Sequence, residues 1–325
     1  MLGLPRDWEA VYRPALDRLA PRVRVASVYS SVPRQAREQA AELAAEVASG
    51  IRVILDRHPS NGVALLDADW WSPFALARVL QTGRAVYWRV NGQVEPAQLA
   101  SWHEQSRAAG GLVMPEMRLR YTPATLRLRE LLATELGPVR SVDVHPLNTA
   151  APAGRQVDVE LYDWCRCVFD ATPLDVHSIA NAQAGSNAMR TITLRLKRRQ
   201  EDPFVVVIRR PTQEQARSER HPQATRKLAA DEWPYEFCIA CKYGEARIED
   251  ASHLRWRVGG QEHTESLGNE RTAVSVALDH FARRLAGGLI PVPDLSDLLA
   301  AHRICDRASQ SCETGTTATF SDAKP

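Results

Sequence analysis

No run of apolar residues in this 325-residue chain approaches the roughly 18 that a membrane-spanning helix needs. The first twenty residues carry Arg6, Asp7, Glu9, Arg13, Asp17 and Arg18, so neither a signal peptide nor an anchor is expected. Cysteine is scarce. Six in so long a chain give no disulfide framework, and reduced thiols in a cytoplasmic protein are the expectation. A dominant charge is lacking too: 41 Lys and Arg against 39 Asp and Glu leave a formal charge of +2, which singles out no polyanionic partner. What is present suits a folded protein, because 44% apolar and 25% charged residues exclude global disorder, and the length fits roughly two domains.

From Trp8 to about Met114, helical and strand-like patterns alternate. Trp8–Leu19 reads as helix, with Val11, Ala15 and Leu19 four apart. Val23–Tyr29 reads as an alternating strand and Pro33–Val47, rich in Ala, Glu, Gln and Arg, as a second helix. Gly62–Leu66, Ala85–Val90 and Gly111–Met114 are strands, with helices at Pro73–Leu80 and Pro96–Ala109 between them. Such alternation predicts a parallel sheet covered on both faces, because each crossover packs back with one hand.

The pattern changes near Tyr121. Helices at Thr125–Thr134 and Leu161–Phe169 flank a strand at Val139–His145 and a small-residue loop at Asn148–Arg155. Strand-like runs follow at Leu174–Ile179, Thr191–Leu196, Phe204–Arg209, Tyr235–Lys242, Ala246–Ile248 and Leu254–Val258, which predicts a second, largely antiparallel open sheet with helices on one face. The polar stretch Gln213–Arg226 reads as a mobile loop. Arg271–Leu285 is helical, and a Pro-rich turn leads to a last helix at Ser296–Ser309. The closing stretch from about Ser309 is polar and small, with a disordered end. The division expected is 1–118, 119–310, and a tail over 311–325.

Several local phrases resemble the Gfo/Idh/MocA family of NAD(P)-dependent oxidoreductases: Asp7-Trp8-Glu9 with Arg13-Pro14-Ala15-Leu16, Gly83-Arg84-Ala85-Val86-Tyr87, Arg120-Tyr121-Thr122-Pro123-Ala124, and Ser311-x-x-Thr314-Gly315. The resemblance runs close to the whole chain. It implies an α/β protein with a Rossmann-like parallel-sheet domain, then an α+β domain whose open sheet often serves dimerisation, and hence a homo-oligomer. It further implies NADP or NAD as cofactor and a small, polar, sugar-like substrate. Activity must be read position by position, because function lives in the site.

A dinucleotide site needs a strand, then Gly-x-Gly-x-x-Gly, then a helix whose first amides meet the pyrophosphate. Only Gly3 stands where a motif glycine belongs, and Pro5 removes an amide donor. Two residues before Gly3 are too few for the central first strand, so a start further upstream or a decayed chain is favoured over another segment filling the gap. At the adenosine ribose the family's carboxylate is missing. Ser30-Ser31 stands there, with Arg34 and Arg37 one turn on, which favours a 2′-phosphate and so NADP; alternatively Ser30 or Ser31 caps a helix opening at Pro33. In the loop Asp67–Pro73, Asp69, Trp70 and Trp71 lie where family members cover the nicotinamide, although the tryptophans equally suit a seam between domains.

Catalysis is where the family pattern breaks. Arg89-Val90-Asn91 replaces the family's Glu-Lys-Pro, and valine can neither donate nor accept a proton. Arg89 stays protonated and can bind an anion. The second-domain Asp and His align with Gln156 and Glu160, ahead of Asp163. Asp158, Glu160 and Asp163 could form a substitute acid–base set, or simply favour the dipole of a helix start. The enzyme reading thus places Gly3, Asp7 and Trp8 at the pyrophosphate, Ser30 and Arg34 at the adenosine, Asp69, Trp70 and Arg89 at the nicotinamide, and Glu160 with Asp163 as catalytic groups. Against it stands a non-catalytic nucleotide-binding or assembly protein, favoured by Val90 and Gln156.

Two further clusters read as structure. Cys238 and Cys241 lie three apart in a strand and face opposite sides, which argues against a metal site with Cys165 and Cys167. The basic run Arg195–Arg199 alternates with Leu194 and Leu196 as one solvated strand face, so no nucleic-acid partner is expected.

Overall fold

The structure, a computed structural model, describes residues 1–57, 60–67, 72–90, 94–147, 155–180, 189–199, 201–211 and 235–320. Two units make up the chain, 1–118 with 274–299, and 119–273 with 300–325. The segment 274–299, which the sequence division left in the second domain, therefore belongs to the first.

Five short strands line the first unit: β1 (Ser27–Val28), β2 (Glu46–Val47), β3 (Gly62–Leu65), β4 (Ala85–Trp88) and β5 (Val113–Pro115). β1 pairs with β2 and β4 with both β3 and β5, all parallel. Leu2 bridges the two groups, parallel to Tyr29 on one side and to Leu65 on the other. The order is therefore β2, β1, Leu2, β3, β4, β5, the six-position order of a doubly wound dinucleotide-binding sheet.

This corrects the expectation that so short a start leaves the centre unfilled. Leu2 N–H donates to Ala64 O at 2.8 Å and Leu2 O accepts from Leu66 at 2.9 Å, while Gly3 and Tyr29 close the other side at 2.8 and 3.0 Å. Four bonds suffice because each backbone group facing a neighbour is paired.

The crossovers are a π-helical turn at Trp8–Tyr12 running into α1 (Arg13–Leu19), then α2 (Pro33–Glu42), α3 (Ile51–Arg57), α4 (Ser72–Leu80) and α5 (Pro96–Ala108). α2 ends five residues short of the predicted Val47. Ala44 takes a left-handed φ of 49°, which stops the helix and frees Glu46 and Val47 to pair as β2.

In the second unit α6 (Pro123–Leu131) opens with Thr122 accepting the Thr125 N–H, and α7 (Arg155–Phe169) packs Trp164 on Phe237 at 4.2 Å between ring centres. The strands are β6 (Val139–Pro146), β7 (Thr172–Ala180), β8 (Met189–Lys197), β9 (Phe204–Pro211), β10 (Tyr235–Cys241), β11 (Gly244–Ile248), β12 (His253–Val258) and β13 (Gln261–Ser266). With β14 (Ala318–Thr319) they form one sheet, ordered β13-β12-β11-β10-β6-β9-β8-β7-β14. Only the β6–β9 pair is parallel among its described pairings. Alternation buries Val142, Val144, Ile192, Leu194, Val206 and Ile208 on one face, and leaves Arg195 and Lys197 exposed on the other.

Two helices follow, α8 (Ala273–Leu285) and α9 (Leu295–Thr314). α8 supplies Phe281, whose ring lies 5.7 Å from that of Tyr87. α9 outruns the predicted Ser309. Ser311 Oγ accepts the Ser178 N–H at 3.0 Å and donates to Thr316 O at 2.6 Å, and Gly315, at φ +68°, turns the chain into β14 on β7. The closing stretch is thus built into the unit as far as residue 320, and its expected disordered end, 321–325, lies outside the described residues. The predicted loops at 213–226 and over most of 148–155 lie outside the described residues.

Candidate functional site

Ligands of doubly wound sheets bind at the carboxyl ends of the strands. Gly3 sits at that end of the first strand with φ +83°, and a Cβ on it would fall 2.1 Å from Asp67 Cβ and 2.8 Å from Asp67 N. Only glycine lets the first loop press on the loop after β3. Asp7 ends this first loop, and its side chain makes no cap on the following turn.

Instead the Asp7 carboxylate reaches two guanidiniums, Arg89 Nη1 at 2.7 Å and Arg118 Nη2 at 3.3 Å. Arg89 follows β4. Beyond β5, buried Glu116 accepts the Tyr12 hydroxyl, the Tyr87 hydroxyl at 2.7 Å and Arg118 Nε at 2.7 Å. Both guanidiniums lie over the Tyr12 ring, at 5.7 and 5.6 Å from its centre. Tyr12, Glu116 and Arg118 were not picked out from sequence, because their partners lie about a hundred residues apart along the chain.

The electrostatics lock these groups in one protonation state. Burial alone would raise Asp7, but Arg89 and Arg118 outweigh it and hold the carboxyl below its ordinary value. Burial first, and then the charge of Glu116, pushes the Tyr12 and Tyr87 phenols well above theirs. Arg118 is desolvated, yet Glu116 and Tyr12 keep it charged. The two phenols and Arg118 therefore keep their protons near neutral pH, which suits them to holding charge in place rather than exchanging it.

The other sequence candidates are distributed as follows. Trp8 is buried, donating its indole N–H to Gln39 at 2.7 Å and stacking on Tyr12, so it anchors the loop from inside. Ser30 Oγ accepts the Val32 N–H at 3.2 Å, whereas α2 starts after Val32 with no side-chain cap, so the expected cap is a turn one step earlier. Arg34 is exposed and pairs with Glu38 at 2.7 Å. Asp69 and Trp70 lie outside the described residues. Val90, at the position of the family lysine, is buried.

Next to Tyr29, at the carboxyl end of β1, a cavity of about 310 Å³ is lined by Gly50, Arg52, Leu55, Phe74 and Arg78 together with Tyr29. Sequence reading missed Arg52 and Leu55 because α3 was not recognised.

In the second unit, Glu160 Oε1 accepts Gln156 Nε2 at 3.2 Å, and Gln156 Oε1 is buried without a hydrogen-bond partner. Asp163, 1% exposed, accepts two hydrogen bonds from Arg120, at 2.6 and 2.5 Å, a bidentate pair that fixes it as a carboxylate anchor. Asp158 turns inward to Arg210 at 2.5 Å; burial, only partly offset by Arg210 and Arg190, pushes its carboxyl up to about 6. Among the described residues no group of three His, Cys, Asp or Glu could hold a metal, and no helix is long and apolar enough to cross a membrane.

No family model matches the sequence, and no curated protein is similar to it. Solved structures are similar. A putative myo-inositol dehydrogenase from Sinorhizobium meliloti 1021 superposes with a TM-score of 0.72 at 15% identity, over 98% of each chain. A super-repressor mutant of Gal80p from Saccharomyces cerevisiae gives 0.74 at 12% identity, over 98% of this chain and 96% of its own. Biliverdin reductase from Synechocystis sp. PCC 6803, in complex with biliverdin and NADP+, gives 0.67 at 15% identity, over 96% and 98%. The chain has the Gfo/Idh/MocA-type fold.

Within this Gfo/Idh/MocA-type fold a dinucleotide fits the first unit on two observations. The six-position sheet order is complete with Gly3 at its hinge, and an aromatic- and arginine-lined cavity lies at the end of β1. Buried Val90 does not fit the family's proton-transfer role.

Proposed function

We propose that this protein is an NADP-dependent oxidoreductase acting on a small polar carbonyl or hydroxyl compound of sugar-like character. The cavity beside Tyr29 carries the reading. Tyr29 and Phe74 offer faces to an adenine, and Arg52 and Arg78 suit a 2′-phosphate in place of the ribose-binding carboxylate that the chain lacks. The nicotinamide supplies hydride transfer when bound. Within the first unit Arg89, just after β4, supplies a fixed positive charge beside the first loop through its pair with Asp7. The similar structures of biliverdin reductase in complex with biliverdin and NADP+, and of a putative myo-inositol dehydrogenase, support this class.

Titration of the chain with NADPH, followed by tryptophan fluorescence, tests the reading. Saturable quenching below millimolar, weakened by Arg52→Gln and Arg78→Gln, is expected, together with NADPH oxidation on addition of a carbonyl compound from a sugar panel. Absence of quenching overturns it.

A second reading, a non-catalytic nucleotide-binding or assembly protein, is favoured by buried Val90 and by Asp163 being tied to Arg120. Binding of NADPH without turnover across the panel would select it. In either case we propose a homo-oligomer through the charged, exposed face of the large sheet, where Arg209 pairs with Asp143 and Arg247 with Glu236; light scattering of the purified chain measures it.

A further inference from the structure

We infer that Arg89 and Arg118 are the receptor for the dinucleotide's diphosphate, and that the Asp7 carboxylate is a built-in competitor for the same two guanidiniums. This rests on the nucleotide reading above and assigns the part of the site that the missing glycines leave without a donor.

Pro5 has no N–H, and the N–H groups of Gly3 and Trp8 are spent on Tyr29 O at 2.8 Å and Pro5 O at 3.0 Å. Positive charge comes instead from across the strand ends. Arg89 leaves β4 and reaches the loop, where it spends one of its five donors on Asp7 at 2.7 Å. The side chain is 27% exposed, so part of the guanidinium-bearing chain is open to solvent. Arg118 is held in place by Glu116 at 2.7 Å, which leaves Nη2 directed at the Tyr12 hydroxyl and, at a longer 3.3 Å, at Asp7.

The charges decide what this pair prefers. Two guanidiniums face two carboxylates, but Glu116 is engaged by two hydroxyls and Arg118, whereas the side-chain partners of Asp7 are the two arginines, its remaining bond is to its own backbone, and it leaves the turn after it uncapped. A carboxylate on a loop is the replaceable member. A diphosphate offers more charge and more acceptor oxygens in the same bidentate geometry, so it outcompetes Asp7, and Asp7 lowers the affinity by the cost of its own displacement.

The test measures NADPH affinity by tryptophan fluorescence for the wild type, Asp7→Asn and Arg89→Gln, with inorganic pyrophosphate and malonate as competitors and circular dichroism as the check of folding. Asp7→Asn is expected to bind NADPH roughly tenfold more tightly, the scale of one charge-assisted contact, and Arg89→Gln roughly tenfold more weakly with a flatter salt dependence. Pyrophosphate should displace NADPH from the wild type and far less from Arg89→Gln. NADPH binding that neither substitution alters overturns the receptor and leaves the nucleotide reading standing. Pyrophosphate binding that depends on Arg89, without NADPH binding, supports the receptor and overturns the nucleotide reading. Malonate displacing NADPH as well as pyrophosphate does assigns the arginines to a carboxylate and overturns the inference, as does failure of both NADPH and pyrophosphate to bind wild type and Asp7→Asn.

Discussion

The Tyr12 hydroxyl lies 2.9 and 2.8 Å from the two carboxylate oxygens of Glu116, 104 residues further along the chain. One phenolic proton is shared between both oxygens, while Tyr87 and Arg118 close the remaining sides, so a charge that would be costly in a core is satisfied on each. Tyr12→Phe removes one donor and should cost about 1–3 kcal/mol in urea unfolding. Glu116→Gln should cost more, since it leaves buried Arg118 without its closest anion. No cost for Tyr12→Phe would show that the hydroxyl is dispensable.

Gly3→Ala places a methyl where Asp67 already stands and keeps a left-handed backbone. Strain of about 1–2 kcal/mol for the conformation adds to about 1–3 kcal/mol for overpacking, so the melting temperature should fall sharply. A Gly3→Ala chain that melts with the wild type would mean the two loops are not pressed together.

Asp163→Asn leaves Arg120 buried beside a neutral amide, an expected loss of about 3–5 kcal/mol. Replacing both, as Arg120→Met with Asp163→Leu, should recover most of it, because the desolvation of two charges is relieved together. If the double variant is no more stable than Asp163→Asn, the pair is not the source of the loss. The readout is chemical denaturation of the wild type and the two variants side by side.

His302 and Asp158 pull stability in opposite directions with pH. Burial, reinforced by Arg155, lowers His302 from 6.5 to about 4, so the unfolded chain protonates first as pH falls and stability present above 6.5 is lost down to about 4. Burial raises Asp158 from 3.8 to about 6, so its protonation favours the folded state and stability is lost as pH rises through that window. Between pH 4 and 6 the two slopes oppose. His302→Gln removes one of them, and its stability relative to wild type should improve on acidification from pH 7 to 4 by on the order of 3 kcal/mol. Parallel pH profiles of the two chains would remove His302 from this account.

Much of the first unit was legible because period-2 and period-3.6 patterns alternate cleanly from Gly62 to Met114. β2 was hidden inside an alanine-rich run that reads as continuous helix, since neither Gly nor Pro marks the stop that Ala44 makes in the left-handed region. β13 was missed for the opposite reason: an edge strand exposed along nearly its whole length has no apolar face to show. At the site, the family resemblance singled out Asp7 and Arg89 but assigned them to different ends of the cofactor, the pyrophosphate and the nicotinamide, whereas the two form an ion pair. Their junction with Glu116, Tyr12 and Arg118 was not legible, because a contact between loop residues a hundred positions apart has no periodicity.

Helix α8 caps the first unit from the far end of the polypeptide: Leu285 and Phe281 crowd Gly62, and Asp279 takes Arg22 at 2.8 Å. During synthesis residues 1–118 must therefore wait for residues 274–299, which emerge only after more than 150 further residues of the second unit, before their own unit can close. Expressed alone, that stretch would emerge with its lid missing and its apolar seam bare to water, a fragment prone to stick to chaperones.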